Sequence, residues 1–226
     1  RCMLHHVISG HRSVESINFI EDNFIEENNI NWLKNKTVNT IDTENKIVKI
    51  DNEDISYDKL LIATGASAFI PPIKNIKEGN HIYPLRNIED VFDIKEKIKT
   101  SKKVAIIGAG LIGIDALTAL MEIKDLEVSL IYPNDFILDR QLDEYSAKVY
   151  EDKFTELGAK LYPSLPVNQI LLDENNDVKG VELGDNTVVE CDMIIVSTGV
   201  KPNTDFIDNT DIENNRGIVI NDKCET

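Results

Sequence analysis

The sequence predicts an α/β fold in which a parallel sheet is joined to an antiparallel β-meander, together with part of a second domain. A short apolar strand, a glycine turn, an amphipathic helix and a second strand follow one another over residues 104–131, which is the pattern of a parallel β-α-β crossover. Three short strand-like runs over residues 166–190 are separated by polar turns, and the buried strand 193–196 follows them. The 226 residues, 42% of them hydrophobic, are enough for one large or two small domains.

The first third of the chain mixes helical and strand patterns. Apolar residues at helical spacing predict a helix over 13–28, and the alternation over 36–50 with a turn at 42–45 predicts a hairpin. An apolar strand is expected within 57–63, and residues 73–85 after Pro71-Pro72 are predicted to be a crossing segment without regular structure.

The remaining elements follow from hydrophobic periodicity and from glycine or polar stops. Beyond the three meander strands, the predicted elements are helices over 88–99, 111–124 and 142–157 and strands over 104–107, 127–131, 159–162 and 193–196.

The glycine turn is Gly108-Ala109-Gly110-Leu111-Ile112-Gly113, placed between the strand and the helix. In a Rossmann-like unit the first glycine allows the tight turn, the second lets a pyrophosphate approach the backbone, and the third lets the helix pack on the strand. The helix N-terminus then offers unpaired N–H groups to the phosphates. The alternative interpretation is a tight β-α turn with no ligand.

The end of the second strand bears on the choice of nucleotide. An acidic residue usually stands there to accept from the ribose hydroxyls, but this chain has Tyr132, and Asp135 comes three residues later. No Arg or Lys stands nearby to hold a ribose 2′-phosphate, Arg140 being the closest cation. We assign Tyr132, Asp135 and Arg140 to the cofactor site and expect NAD(H) to be favoured over NADP(H).

Two further segments are near copies of one another. Tyr57–Gly65 and Cys191–Asn203 each carry an acid, an apolar strand and then Thr-Gly. With the glycine turn between them, and with Leu85-Arg86 followed by Asp90, the chain resembles the pyridine nucleotide–disulfide oxidoreductase family of flavoproteins. The resemblance implies NADH-dependent flavoenzyme chemistry with FAD as a second cofactor.

The resemblance also implies residue roles and boundaries. Asp115 stands where the family usually has Glu near the nicotinamide and flavin, and it is our candidate catalytic residue. The cofactor-contact candidates outside the glycine turn are Thr64, Gly65, Thr198, Gly199 and Val200. We expect residues 1–84 to be a partial FAD-binding domain, 85–201 the NAD(H)-binding domain and 202–226 the return to the FAD-binding domain, with a return strand over 216–222.

Both ends of the sequence look cut, because the family's two principal FAD-anchoring motifs would lie outside residues 1–226. We therefore expect a fragment that holds no stoichiometric FAD by itself, whereas the full-length parent would contain FAD.

The residues around Cys2 bear on the identity of the electron acceptor. Arg1 and Leu4 around Cys2 resemble the rubredoxin-reductase and nitrite-reductase type, which uses no redox cysteine, and we expect Cys2 not to be a redox centre. The spacing from Cys2 to Gly10 also fits cysteine-dependent disulfide reductases and NADH oxidases. A non-catalytic NADH-binding module is a further alternative.

Composition excludes several other classes. A formal charge of −16 disfavours nucleic-acid and membrane-surface partners. Three widely spaced cysteines give neither a disulfide framework nor a metal pattern, and no apolar run is long enough for a membrane span. We expect a cytoplasmic protein with no metal site and with a small redox protein or a small molecule as electron acceptor; a homodimer stays open.

Overall fold

A computed structural model describes residues 2–226 of the chain. Its α-helices are α1 (Leu4–Ile8), α2 (Phe24–Glu27), α3 (Ile88–Ile98), α4 (Leu111–Met121) and α5 (Glu144–Glu156). Its strands are β1 (Val38–Asp42), β2 (Ile47–Ile50), β3 (Glu53–Ser56), β4 (Ala66–Ala68), β5 (Ile82–Pro84), β6 (Lys103–Ile107), β7 (Glu127–Ile131), β8 (Lys160–Tyr162), β9 (Val167–Leu172), β10 (Val178–Leu183), β11 (Val188–Glu190), β12 (Met193–Val196) and β13 (Val200–Pro202).

These elements form two compact units. The larger unit comprises residues 1–17 and 68–199, and the smaller unit comprises residues 18–67 and 200–226. The chain therefore changes units at 17/18, at 67/68 and at 199/200. Residues 1–17 belong with the larger unit, although the sequence assigned them to the same domain as the hairpin. As FAD-binding and NAD-binding domains, the ranges 1–84, 85–201 and 202–226 stay a prediction.

A five-stranded parallel sheet with the order β5-β12-β6-β7-β8 forms the centre of the larger unit. Because successive side chains of a strand point to opposite faces, Val104 and Ile106 of β6 pack on the helical side. Ala105 and Ile107 pack on the side of the antiparallel meander β9-β10-β11. Burial on both faces explains why β6 and β12 are continuous apolar runs.

The helices of the larger unit begin with identifiable caps. In α3, Asn87 and Asp90 form a capping box. In α5, the Asp143 carboxylate accepts from the backbone N–H of Ser146 at 2.7 Å. Helix α4 begins at Gly110, which has no side chain to cap it, so the first N–H groups of this helix receive no side-chain acceptor from their N-cap residue.

The smaller unit holds an antiparallel three-stranded sheet with the order β1-β2-β3. Its core contains Ile41, Val48 and Ile50 from the sheet together with Ile207 from a short 3-10 helix, Asp205–Ile207. The predicted hairpin and its turn are confirmed; the third strand of this sheet was not predicted.

The helix predicted over 13–28 is wrong. The structure has a 3-10 turn at Glu15–Ile17 and the single turn α2 instead. Short helices depend on burying an apolar face, yet the side chain of Phe19 is 78% exposed in this unit. Exposed apolar side chains of this segment, such as Phe19, therefore have no surface to pack against.

Three strand predictions also differ from the structure. Residues 57–63 are not assigned to a strand, and Leu61 is 87% exposed, because no described strand lies alongside to complete a ladder. Residues 216–222 turn instead of extending, since Arg216 and Gly217 both have positive φ. Conversely, β5 lies in the segment predicted to be irregular; its Pro84 is tolerated because β5 is an edge strand.

Candidate functional site

The glycine turn lies at the carboxyl end of β6, beside the carboxyl end of β12. Gly108 has φ +108°, and a Cβ there would lie 2.6 Å from the carbonyl oxygen of Ser197, the residue after β12. The Ser197 hydroxyl donates to the carbonyl oxygens of Ile107 at 3.1 Å and of Gly108 at 2.9 Å. Only glycine fits this tight passage between two parallel strands.

Gly113 is required by a second close approach. A Cβ on Gly113 would lie 1.9 Å from the carbonyl oxygen of Gly108 and 2.8 Å from the hydroxyl oxygen of Ser197. Helix α4 therefore packs on the end of β6 at a distance that no side chain at position 113 permits. Protein atoms alone account for the first and the third glycine.

Gly110 differs from the other two. A Cβ built on it would meet no atom within 4 Å, and its φ of −77° is open to any residue. No contact in the protein therefore calls for glycine at this position. The exposed turn then joins directly to the N-terminus of α4, where N–H groups and the helix dipole favour a phosphate. The turn suits a pyrophosphate, and its remaining residues are Ala109, Leu111 and Ile112.

Tyr132, at the end of β7, turns its side chain into the core. The residue is 1% exposed, and its hydroxyl donates to the Glu151 carboxylate of α5 at 2.9 Å. Burial, and then the adjacent Glu151 carboxylate, raise the pKa of the Tyr132 phenol above its ordinary value. The Tyr132 side chain therefore packs in the core, and only the backbone of this residue is left to contact a cofactor.

The segment after β7 folds against the glycine turn. The backbone N–H of Leu138 donates to the carbonyl oxygen of Ala109 at 2.9 Å. Next to it, the Asp139 carboxylate accepts from the side-chain amide of Asn134 at 2.7 Å. Asp139 was not a predicted site residue, because only the long-range Leu138–Ala109 bond brings it to the turn.

The two charged residues predicted in this segment are both exposed. The Asp135 carboxylate accepts from the Ser164 hydroxyl at 2.8 Å, and Arg140 lies at the surface. Two aspartates, Asp135 and Asp139, therefore precede the single arginine in this segment, which makes the segment a poor clamp for an additional phosphate.

Thr198 and Gly199 follow Ser197 in the larger unit. The Thr198 hydroxyl donates to the carbonyl oxygen of Phe69 at 2.9 Å, and the Phe69 N–H donates to the carbonyl oxygen of Gly199 at 3.0 Å. Gly199 has φ +112°, and a Cβ there would meet nothing within 4 Å. We call this pair of hydrogen bonds a Thr-Gly latch.

Thr64 and Gly65 form a second Thr-Gly latch within the smaller unit. The Thr64 hydroxyl donates to the carbonyl oxygen of Asn203 at 2.8 Å, and the Asn203 N–H donates to the carbonyl oxygen of Gly65 at 3.0 Å. Val200 begins β13 in the same unit and is about half exposed.

Asp115 lies one turn into α4 and pairs with a histidine. Its carboxylate oxygen Oδ2 is 3.5 Å from Nδ1 of His5, a residue of α1. Burial raises the pKa of Asp115, and the nearby His5 opposes this shift. The His5 side chain is 18% exposed. A small pocket in this unit is lined by Leu4, His5, Leu85, Arg86, Ile112 and Asp115.

The metal-ligand residues and the cysteines of the described part of the chain are placed as follows. Among residues 2–226, no three His, Cys, Asp or Glu side chains are placed to hold a metal ion. Burial raises the pKa of the Cys191 thiol to about 12, which makes it a poor nucleophile. Cys2 and Cys224 are exposed; Arg1, which we had considered with Cys2, lies outside the described residues. Across those residues, no helix is long and apolar enough to cross a membrane.

The whole chain, residues 1–226, matches the sequence profile of the family described as pyridine nucleotide-disulphide oxidoreductase. The chain belongs to this family. Nitrite reductase [NAD(P)H] from Bacillus subtilis strain 168 is 33% identical over 228 residues, which cover 100% of this chain and 28% of that protein. NADH-rubredoxin oxidoreductase from Clostridium acetobutylicum is 33% identical over 230 residues, which cover 100% of this chain and 55% of that protein.

The fold agrees with solved structures of similar proteins. The ferredoxin reductase for the CYP199A2 system from Rhodopseudomonas palustris superimposes with a TM-score of 0.90 at 23% identity, covering 97% of this chain and 54% of that one. The α/β fold class and the family resemblance predicted from the sequence are therefore confirmed. The chain spans about half or less of the length of these relatives, and the roles of the individual site residues stay predictions.

Proposed function

We propose that this chain is the NADH-binding part of a flavin-dependent oxidoreductase, which passes electrons from NADH through FAD to an acceptor. The observation that supports this proposal is that protein contacts explain two of the three glycines of the turn and do not explain the other. Gly108 and Gly113 are required by protein atoms at 2.6 Å and 1.9 Å, whereas Gly110 faces no protein atom within 4 Å. A turn that keeps a bare backbone beside a helix N-terminus suits the pyrophosphate of a dinucleotide.

The remaining candidates are assigned by their position around that turn. Ala109, Leu111 and Ile112 would offer backbone to the pyrophosphate. The segment with Asp135, Asp139 and Arg140 would face the adenosine ribose, with Tyr132 contributing its backbone. Thr198 and Gly199, next to the turn through Ser197, and Asp115 on α4 would serve the nicotinamide end. FAD, when bound in the longer protein, supplies the capacity to accept a hydride and to release electrons. For the smaller unit, we propose Thr64, Gly65 and Val200 as cofactor contacts.

We propose NADH over NADPH as the reductant. The carboxylates of Asp135 and Asp139 next to the turn would repel a 2′-phosphate, and one exposed arginine would offset them only in part. The relatives named for NADH, such as NADH-rubredoxin oxidoreductase, support the same choice.

Titration of the chain with NADH and NADPH tests both the proposed pyrophosphate site at the glycine turn and the proposed preference for NADH. The Gly110→Val variant should bind NADH at least about tenfold more weakly. This follows because a hydrogen bond to a charged group contributes roughly 1.5–3 kcal/mol, and about 1.4 kcal/mol is a factor of ten. Thr118→Val is the matched control, since Thr118 is exposed two turns along the same helix. Unaltered NADH binding by Gly110→Val would contradict the site, and equal or tighter NADPH binding would contradict the nucleotide choice.

For the acceptor, we propose a small redox protein or a nitrite-reducing centre, with no redox role for Cys2. Relatives named as nitrite reductase and as NADH-rubredoxin oxidoreductase support this choice. In the full-length protein, Cys2→Ser should retain NADH turnover with a one-electron acceptor, as should the control Cys224→Ser, whose thiol is also exposed. Loss of turnover in Cys2→Ser alone would favour the cysteine-dependent alternative, which is a disulfide reductase or NADH oxidase.

A further inference from the structure

Histidines of the N-terminal segment lie along one face of α4. Asp115 and Glu122 are seven residues apart, which places them on the same side of the helix, two turns from each other. His5 Nδ1 lies 3.5 Å from the Asp115 carboxylate, and His11 Nε2 lies 3.3 Å from the Glu122 carboxylate. The ring of His6 lies between the other two, with centroids 4.0 Å from His5 and 6.3 Å from His11.

The two contacts differ in their surroundings. The side chains of His5 and Asp115 are 18% and 38% exposed, whereas those of His11 and Glu122 are 60% and 44% exposed. The His5–Asp115 pair also lines the small pocket together with Ile112, which belongs to the first turn of α4. The pocket therefore lies at the N-terminal end of α4, where we propose that the pyrophosphate binds, while the outer pair lies two turns away.

The charge of the inner pair depends on His5. Burial lowers the pKa of His5 below its ordinary value, and the Asp115 carboxylate opposes that effect. When His5 is neutral, the negative charge of Asp115 is not compensated by this imidazole. Protonation of His5 at lower pH would neutralise that charge at 3.5 Å.

We propose that His5 is a positioning residue that sets the charge presented by Asp115 to the nicotinamide, and thereby sets the relative affinities for NAD⁺ and NADH. This inference rests on the proposed function, in which Asp115 serves the nicotinamide end of the site. The oxidised ring carries a positive charge and the reduced ring does not, so an uncompensated carboxylate favours NAD⁺. When His5 becomes protonated, this preference for NAD⁺ should fall.

Other charged groups surround His5 and limit the pH range in which it can be studied. Besides Asp115, α4 contributes Glu122, and α1 itself contributes His6. From the α3 side, Arg86 lines the pocket, and Lys95 donates to the carbonyl oxygen of Val7 at 2.8 Å. Between about pH 5.5 and about pH 8, histidine is the residue type whose ordinary pKa allows a change of charge.

The test measures the dissociation constants of NAD⁺ and of fresh NADH for the chain across that pH range, beside an NMR titration of the imidazoles. The ratio Kd(NAD⁺)/Kd(NADH) should rise about fivefold from the high to the low pH, which is what roughly 1 kcal/mol from one partly exposed charge pair amounts to. The rise should follow the pKa of His5 seen by NMR.

Variants separate His5 from its neighbours. His5→Gln and His5→Asn cannot be protonated, and His5→Asn keeps an N–H donor near the place of Nδ1; both should give a ratio that no longer depends on pH. The matched control His11→Gln should keep the wild-type dependence, and Asp115→Asn should abolish it and weaken NAD⁺ selectively.

Two kinds of failure are distinguishable. If both nucleotides bind and the wild-type ratio is independent of pH, or if the folded His5 variants keep the wild-type slope, the role of His5 is refuted and the proposed function stands. If the wild-type chain binds neither nucleotide, the proposed NADH site fails, and the inference fails with it.

Discussion

Replacing Gly113 by alanine tests whether the contact between α4 and β6 is as close as the structure indicates. The added methyl group would lie 1.9 Å from the carbonyl oxygen of Gly108 and 2.8 Å from the Ser197 hydroxyl oxygen. Favourable contacts between carbon atoms occur at about 3.5–4.0 Å, so the first of these is a hard overlap with backbone that cannot rotate away. Overpacking typically costs about 1–3 kcal/mol and occasionally more. We expect about 3 kcal/mol, because the helix itself must move.

Urea unfolding followed by far-UV circular dichroism measures this cost. A dependence of about 2 kcal/mol per M urea converts 3 kcal/mol into a midpoint lowered by about 1.5 M. Gly110→Ala is the matched control, since its Cβ meets nothing within 4 Å; loss of a favourable N-cap residue should cost about 1 kcal/mol or less, which is about 0.5 M or less. A Gly113→Ala midpoint no lower than that of Gly110→Ala would refute the reasoning.

Two further predictions concern buried polar groups. Tyr132→Phe removes the 2.9 Å hydrogen bond to the Glu151 carboxylate and should lower the free energy of unfolding by about 1–3 kcal/mol; Tyr145→Phe, at a residue 82% exposed, should stay within about 0.5 kcal/mol of wild type. An equal effect of the two changes would contradict the buried bond. The thiol of Cys191, buried and with its pKa raised to about 12, should resist alkylation until the chain unfolds, whereas mass spectrometry should find rapid labelling of Cys2 and Cys224. Labelling of all three at one rate in the folded chain would show that Cys191 is accessible.

The part of the fold that the sequence predicted correctly is the part specified by local pattern. The run from Val104 to Ile131 contains a strand, a turn and a helix whose residue types agree with one another, so its elements were located within a few residues. Residues 13–28 and 57–63 also have apolar patterns, but several of their apolar side chains, such as Phe19 and Leu61, are left exposed in the structure. Hydrophobic periodicity predicts which face of an element is apolar, but it does not predict whether a neighbouring element packs against that face.

In the candidate site, too, the features specified by local pattern were predicted from the sequence and the long-range contacts were not. The three glycines were identified from spacing, and the structure supplies a steric reason for Gly108 and Gly113, whereas the reason for Gly110 is the proposed approach of a pyrophosphate. The contacts between His5 and Asp115 and between Leu138 and Ala109 join segments that are remote or differently folded. Such contacts leave no local sequence pattern, so neither His5 nor Asp139 was among the predicted site residues.

The two Thr-Gly latches have a consequence for the history of the chain. In each latch a threonine hydroxyl donates to a carbonyl that lies far away in sequence, and an amide donates back to the glycine carbonyl. The flanking side chains differ between the copies at Thr64 and Thr198, yet the donors and acceptors correspond one to one. Such a repetition is the expected trace of one ancestral segment that was duplicated within a gene, after which the side chains diverged and the hydrogen bonds were retained.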